Sequence, residues 1–260
     1  MILIAFFIGH WYTSLFCQTF FLHRYAAHGQ VILNNFWRKF FHICTYVFQG
    51  ASYLSPRAYA VLHRMHHAFS DTENDPHSPH HTHNPFNMMY KTKEIYQGLY
   101  ERKILPDERF EKNIPEWETL DKVGDSWWSR LSFGVLYVAL YVMAISVLQL
   151  PGTHWAMYAL LPLHFAIGPL QGAIVNWCGH KYGYSNFDNH DKSKNTLFWD
   201  VFLMGELFQN NHHKFPASSN FAKRWYEFDP LYPILITLHY LGIARIKDYK
   251  RKKKKVVAGV

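Results

Sequence analysis

Three long apolar runs constrain the fold of this chain more strongly than any other sequence feature. Residues 2–22, 131–150 and 155–175 contain no Asp, Glu, Lys or Arg. A transmembrane helix needs about 20 consecutive apolar residues, so each run is long enough to cross a bilayer. The first run lacks a basic n-region and a small-residue cleavage site, which favours a retained helix over a signal peptide. The sequence therefore predicts an all-α integral membrane protein with transmembrane helices at about 2–22, 131–150 and 155–176.

A fourth apolar stretch, residues 40–54, reads FFHICTYVFQGASYL and is too short to span a bilayer comfortably. We interpret it as an interfacial or re-entrant segment. The short linker PGTH at 151–154 joins the last two long runs into a membrane hairpin. Because the chain has no domain-sized linker, we expect one membrane domain over 1–250, followed by a basic tail over 251–260.

The distribution of charge predicts the orientation of the chain. Lys and Arg number 27 against 19 Asp and Glu, an excess of 8, and nearly all of the basic residues fall within 23–130 and 178–255. By the positive-inside rule both large polar segments face the cytoplasm, and the PGTH turn faces the other side. The consecutive basic residues from Lys250 onward are interpreted as a solvated tail near anionic lipid headgroups rather than as a nucleic-acid site.

Histidine is unusually frequent, with 18 residues, and several of them recur at helical spacing. Positions i, i+3 and i+4 of a helix share one face, so the segments HRMHH and QNNHH can each direct side chains at a common point. In the second segment Gln209 stands where the first has a histidine. Asn176 lies four residues before a histidine that follows the last apolar run. The candidate ligands are His23, His28, His63, His66, His67, His180, His212 and His213.

The number of candidate ligands narrows the kind of metal site. Imidazole suits iron, zinc, copper and nickel, so the residue type alone does not choose the metal. Eight histidines would supply about four ligands to each of two ions, which is too many for one catalytic zinc. The cysteines, Cys17, Cys44 and Cys178, have no paired or ligand spacing, which indicates a reducing compartment. Two iron ions held mainly by nitrogen fit these residues better than a carboxylate-bridged pair in a soluble bundle does.

Other histidines are interpreted as non-ligands. A lone histidine near an apolar run is more often packed or hydrogen-bonded than metal-binding, and this applies to His10, His42, His154, His164 and His239. The segment 75–86, DPHSPHHTHNPF, is broken by prolines and lacks helical spacing. We therefore expect a solvated loop there.

With these residues in place, the chain resembles the membrane fatty-acid desaturases, and most closely the acyl-CoA desaturases of the stearoyl-CoA Δ9 type. The resemblance rests on HRYAAH, HRMHHAFSDTENDPHS, NWCGHKYG and GELFQNNHHKFP, in that order over roughly residues 10 to 230. It implies a transmembrane helical stem and a cytoplasmic helical cap that holds a histidine-rich di-iron centre. The eight histidines would be the iron ligands, and Asn176 would hold a metal-bound water.

The resemblance also implies an activity: O2-dependent insertion of a cis double bond into a long-chain saturated acyl-CoA, with a phospholipid acyl chain as the alternative substrate. The chain departs from the family in two places. The family typically has four membrane helices, whereas this chain offers three clear ones. Animal members have histidine at the position of Gln209, where we favour a ligand or water-holding role over a purely structural one.

No fused cytochrome b5-like domain and no flavin or nicotinamide fingerprint is found in the sequence. We therefore expect a separate electron donor, such as a ferredoxin or cytochrome b5 with its reductase, on the basic face of a bacterial inner-membrane protein. A membrane hydroxylase or alkane monooxygenase is the nearest alternative, although its histidine spacings usually differ. A histidine-rich metal transporter is the alternative from another class, but it would place ligands within the membrane segments and on both sides.

Overall fold

We describe a computed structural model of the chain over residues 2–148 and 154–249. Most of the predicted turn at 151–154 and the whole predicted tail at 251–260 lie outside the described residues. Within them the chain is mainly helical, as expected from the sequence. The α-helices are α1 (Ile2–Phe16), α2 (Asn35–Gln49), α3 (Pro56–Phe69), α4 (Pro85–Tyr100), α5 (Glu118–Asp125), α6 (Trp127–Leu148), α7 (Leu161–Phe165), α8 (Ile167–Lys181), α9 (Gln209–Lys214) and α10 (Leu231–Tyr240).

Shorter elements connect these helices. A π-helix covers Cys17–Ala27, and 3-10 helices cover Gly50–Ser52, Glu108–Phe110 and His154–Leu160. Two short strands, β1 (Val31–Leu33) and β2 (Ala244–Ile246), pair antiparallel with Val31 opposite Ile246. This pairing brings the end of the described chain back to the residues that follow the first helix.

Two helices are long and apolar enough to cross a membrane by length and composition: Ile2–Ala27 and Trp127–Val147. A third candidate is the helix pair Ala156–Phe165 and Ile167–Lys181, which is bent by 74°. The bend falls at Ala166, whose backbone leaves the helical region with φ −112° and ψ 17°. Pro169 lies in the first turn of α8, where a missing N–H costs little because that turn has no intrahelical acceptors. The neighbouring Gly168 N–H is bound instead by the Ser52 hydroxyl at 3.1 Å.

The first membrane helix changes its winding where the histidines begin. From Cys17 to Ala27 it is a π-helix, in which N–H groups bond five residues back rather than four. At its end His28 N–H donates to the His23 carbonyl at 3.0 Å. This wider winding stacks residues five apart on nearly one face, so it explains how a histidine pair with that spacing can serve one site.

The stretch 40–54 lies in α2 and the turn that follows it. Asn34 caps α2 by accepting a hydrogen bond from the Trp37 N–H at 2.9 Å. Phe36, Phe40, Ile43 and Val47 follow one another at helical spacing and are all exposed. The opposite face of α2 packs inward through Phe41. An exposed apolar face of this kind agrees with a position at the membrane interface, which stays a prediction.

The main hydrophobic core lies between the first membrane helix and the C-terminal half of the chain. Leu15, Phe20 and Phe21 are fully buried there, and they belong to one cluster with Leu207 and Leu231. The core therefore attaches the segment around α9 and α10 to the wall of the first helix. This packing holds the late histidines close to the early ones.

Candidate metal centre

Four elements direct imidazoles into one layer beside the core. The π-helix carries His23 and leads to His28, and α3 presents its three histidines from two consecutive turns. The last turn of α8 contributes His180, and the short α9 contributes its adjacent pair. All eight candidate histidines are brought together, and they separate into two groups.

The first group contains five histidines whose ring nitrogens lie within 4.8 Å of one another. Its members are His23, His28, His63, His67 and His212. The Nε2 atoms of His28 and His63 are 2.8 Å apart, and the Nε2 atom of His67 lies 2.9 Å from that of His212. Metal–imidazole distances of about 2.0–2.1 Å place neighbouring ligands of one ion roughly 3 Å apart. The spacing of the nitrogens is therefore that of a coordination shell.

The second group contains His66, His180 and His213, again with ring nitrogens within 4.8 Å of one another. The Nε2 atoms of His66 and His213 are 3.2 Å apart. The Nε2 atom of His180 is buried and has no hydrogen-bond partner among the described residues. A buried nitrogen of this kind is costly unless a partner satisfies it, and a metal ion is such a partner.

Carboxylates fix the tautomer of every histidine in the second group. The Nδ1 atoms of His66, His180 and His213 lie 2.9 Å from Asp75, 2.9 Å from Asp71 and 2.6 Å from Asp191, respectively. Since a neutral imidazole carries one N–H, a proton donated from Nδ1 leaves a lone pair on Nε2. Three lone pairs that face one another repel, so this arrangement calls for a cation between them. Metal-binding histidines commonly donate their second ring N–H to a carboxylate in this way.

The first group has one such partner. Nδ1 of His23 lies 2.5 Å from Glu206, which is itself buried. Glu206 also accepts a hydrogen bond from Arg24, whose other terminal nitrogen donates to Asp229 at 2.8 Å. The buried guanidinium thus balances two carboxylates that stand behind the histidines.

Burial keeps several imidazoles of the first group neutral. Desolvation, followed by the repulsion of neighbouring histidines, holds the pKa of His63, His67 and His212 well below the usual range. Burial favours protonation of Asp71 and Asp191, but hydrogen bonds from His180 and His213 outweigh it and lower the pKa of both carboxyl groups. A neutral imidazole is the protonation state that a cation requires of a histidine ligand.

The donor set fits a pair of imidazole-preferring metal ions. Five nitrogens in one group and three in the other agree with two ions, and iron is among the metals that imidazole suits. Thiolates play no part in either group: the three cysteines are free and lie outside both.

A cavity of about 430 Å³ begins beside the first histidine group. Its wall is mainly apolar and is formed by α3, α4, α8 and the segment before α9. His23 and His63 line one part, and Phe86, Tyr90 and Lys93 of α4 line another. Phe86 and Tyr90 are largely exposed, so the cavity reaches the protein surface at α4. An apolar channel that leads from the surface to the histidines suits an aliphatic ligand.

Both amide candidates lie on the wall of this channel. Asn176 is one helical turn before His180 on α8. Gln209 is buried, and its Nε2 donates to the Glu206 carbonyl at 2.6 Å, which leaves its amide oxygen as the available acceptor. A Cβ atom at Gly179 would lie 2.4 Å from Cγ of Gln209, so glycine is needed there to admit the side chain.

Sequence reasoning missed the supporting carboxylates and one further histidine. The prediction of a solvated loop over 75–86 is wrong for its first residues, since Asp75, His77 and Ser78 are buried. Asp75 is drawn inward because it accepts from His66 and from the Asp71 and His77 N–H groups. From His80 to Phe86 the side chains are half-buried or exposed. The proximity of acidic residues to the histidine motifs was the available signal.

The lone histidines His10, His42 and His164 are hydrogen-bonded and packed, as expected. Nδ1 of His10 lies 2.7 Å from Nδ1 of His164, and the Tyr141 hydroxyl lies 2.9 Å from the other nitrogen of His164. His42 lies 2.9 Å from Asp121. These contacts join α1, α6 and α7, and α2 to α5.

The family model and the three relatives described next are all named for desaturases. A sequence model described as fatty acid desaturase matches residues 1–245. The sn-1 stearoyl-lipid 9-desaturase of Synechocystis sp. is 28% identical over 232 residues, which is 88% of this chain and 65% of that protein. The enzyme of the same name from Anabaena variabilis is 27% identical, over 94% of this chain and 83% of its own length. An acyl-CoA 5-desaturase of Anemone leveillei is 26% identical, over 89% and 67%.

We predict that Asp191→Asn weakens metal retention. The amide cannot receive the His213 proton as a carboxylate does, and removal of such partners typically lowers metal affinity by about 10–100-fold. The measurement is the metal content of purified protein after dialysis against graded chelator concentrations. Asp107→Asn, at an exposed carboxylate outside both histidine groups, is the control. Equal retention by the two variants would contradict the role of Asp191.

Proposed function

Because this chain belongs to the fatty acid desaturase family, we propose that it is an O2-dependent desaturase that introduces a cis double bond into a long-chain fatty acyl substrate. The observation that supports this most directly is that an apolar channel adjoins the histidines that could hold the metal. The channel offers a place for an aliphatic chain, and the imidazoles offer a place for the metal beside it.

We assign the five-histidine group to one iron ion and the three-histidine group to the other. Asn176 and Gln209 would complete the surroundings through amide oxygens, either directly or through a water. The carboxylates hold the imidazoles with their lone pairs inward, so little reorganisation is required on loading. This preorganisation is the main contribution of the chain to the centre.

Removal of hydrogen from an unactivated methylene needs a strong oxidant, which two irons supply with O2 when bound. The chain itself performs three tasks. The apolar wall desolvates the acyl chain and excludes water, which protects the oxidant from side reactions. His23 and His63 lie on the same wall, so methylenes in the channel pass next to the centre. The paired carboxylates keep the ligand protons on Nδ1.

The position of the double bond and the acyl carrier are finer proposals. We propose the Δ9 position, which agrees with the names of the Synechocystis and Anabaena relatives. The sequence motifs favour acyl-CoA, whereas those two relatives are named for lipid-bound stearoyl chains. Since the Anemone relative is named for acyl-CoA, both carriers belong in the test.

We place the protein in a bacterial inner membrane with the histidine groups on the cytoplasmic side, from the distribution of basic residues. A separate electron donor, such as a ferredoxin or cytochrome b5, would dock on this basic face. Complementary charge would steer a small acidic donor to it.

The decisive experiment is expression in a host that lacks its own desaturase. We expect a new cis-monounsaturated fatty acid, which His66→Ala abolishes and His83→Ala preserves, because His83 belongs to neither imidazole group. Gas chromatography with double-bond derivatisation gives the position. Purified enzyme supplied with stearoyl-CoA or with stearoyl phospholipid in vesicles separates the two carriers. An alcohol without an olefin would refute the desaturase reaction and favour a hydroxylase.

Gln209 provides a second prediction. Gln209→His keeps a ligand atom and should retain metal and part of the activity, whereas Gln209→Leu removes the amide oxygen at similar volume and should lower both. Metal content and turnover are measured on the same preparations. Full metal content and activity in the leucine variant would show that the position only packs against Gly179.

Gly172 provides a third prediction, concerning chain length. It lies on the channel face of α8, and a Cβ atom placed there would meet no atom within 4 Å. Gly172→Leu should therefore fill the channel without disturbing its neighbours, and the products should shift toward shorter acyl chains. Gly9→Leu is the matched control, because Gly9 is also helical and open but lies outside the channel. Identical product lengths in the two variants would contradict this assignment.

A further inference from the structure

The segment that leads into α9 has an unusual surface. Residues 197–204 read LFWDVFLM, and they form turns rather than a regular helix. Phe198, Trp199, Val201 and Phe202 are 58%, 70%, 51% and 50% exposed, respectively. Four large apolar side chains within five residues form a patch larger than scattered surface hydrophobics explain. We call residues 197–204 the apolar loop.

The apolar loop lies against the first membrane helix. The rings of Trp11 and Phe202 stack with centroids 5.0 Å apart, and Trp11 Nε1 donates to the Phe202 carbonyl at 3.2 Å. Trp11 belongs to Ile2–Ala27, one of the two helices long and apolar enough to cross a membrane. The loop therefore packs directly on a candidate membrane span.

The direction of the loop along this helix can be read from a second contact. Glu206, just past the loop, hydrogen-bonds Thr19 and lies beside His23. Trp11 precedes Thr19 by eight residues, which corresponds to on the order of 10 Å along a helix. From the histidine layer the chain thus descends along the first helix toward its N-terminus and returns. Half of a bilayer's hydrocarbon core is about 15 Å thick, so such a descent reaches well into one leaflet.

Irregular backbone in a lipid environment requires that its polar groups be satisfied within the protein. The buried Asp200 does this for the apolar loop. Its carboxylate accepts from the Leu203 N–H at 2.9 Å and from the Leu207 N–H at 2.8 Å, and its own carbonyl accepts from the Gly205 N–H at 3.0 Å. In a solvated surface loop the charged side chains face outward. Here the carboxylate faces inward and the apolar side chains face outward.

The loop is also tied to the following segment. The Phe228 N–H donates to the Phe198 carbonyl at 3.0 Å, and Trp199 Nε1 donates to the Tyr226 carbonyl at 3.0 Å. Trp225, beside this contact, is 94% exposed. Trp residues with one apolar and one polar edge are enriched where a membrane meets water. The surroundings of the loop therefore have the composition of a membrane interface.

We propose that residues 197–204 are a re-entrant loop that inserts into the cytoplasmic leaflet beside the first helix, with lipid acyl chains covering its exposed face. This modifies the sequence prediction that the whole of 178–255 lies in the cytoplasm. The inserted loop would hold α9, and so the late histidine pair, at the membrane surface. It does not depend on the reaction that the metal centre performs.

The test is a depth measurement on the full chain in phosphatidylcholine–phosphatidylglycerol vesicles. A nitroxide is attached at Val201→Cys, with Lys192→Cys as the control on the exposed polar part of the same segment. Cys44 and Cys178 are replaced by alanine, and the buried Cys17 is retained. Collision rates with O2, which concentrates in hydrocarbon, and with a nickel chelate, which stays in water, are obtained from power saturation.

We expect the ratio of O2 to nickel collisions to be severalfold higher at position 201 than at position 192. In addition, quenching by bromine-labelled phospholipid should fall in Trp199→Phe relative to the unmodified chain. A ratio at position 201 as low as that at position 192 would overturn the proposal and point to a surface covered by water or by a protein partner. Unchanged bromolipid quenching in Trp199→Phe would overturn it independently. Desaturase activity enters neither measurement, so either result leaves the proposed reaction untouched.

Discussion

The structure depends on a single electrostatic constraint: ring nitrogens with inward lone pairs must be held about 3 Å apart inside the protein. Such an arrangement is repulsive without a cation, so it persists only where the surrounding chain fixes each ring. Asp71, Asp75 and Asp191 do this for the three rings of one histidine group, and Glu206 does it for His23 in the other. The positions of the π-helix, α3, α8 and α9 all follow from this need, since each must deliver an imidazole to the same layer.

The buried charge behind the centre connects it to the rest of the fold. Arg24 is fully buried, pairs with Asp229 and Glu206, and stacks on the Phe221 ring with its guanidinium carbon 3.8 Å from the centroid. An unpaired charge there would be strongly destabilising, so these groups must be placed together. Gly205 makes the placement feasible: its φ is +91°, and a Cβ atom would lie 2.4 Å from Asp229. One network therefore links the first helix, the apolar loop and the start of α10.

The sequence was sufficient for the parts of the structure that depend on local spacing. The long apolar runs predicted a helical membrane protein, and the i, i+3, i+4 histidines predicted shared faces on α3 and α9. Contacts between segments that are distant in the chain could not be predicted from the sequence. The pairing of Asp71 with His180 joins residues more than 100 positions apart, and no periodicity marks it. The same holds for the bend at Ala166, for the burial of His77 and for the descent of the apolar loop, because each is decided by tertiary packing.

Gln209 contacts three parts of the candidate site at once. Its nitrogen is bound to the Glu206 carbonyl, its Cγ occupies the space that Gly179 leaves free, and its side chain lines the channel. A histidine at this position would place a rigid ring in the space beside Gly179 that the flexible Gln209 side chain now occupies. Glutamine instead keeps an oxygen acceptor at the channel. The amide oxygen therefore lies where it could complete the proposed metal centre, either directly or through a water.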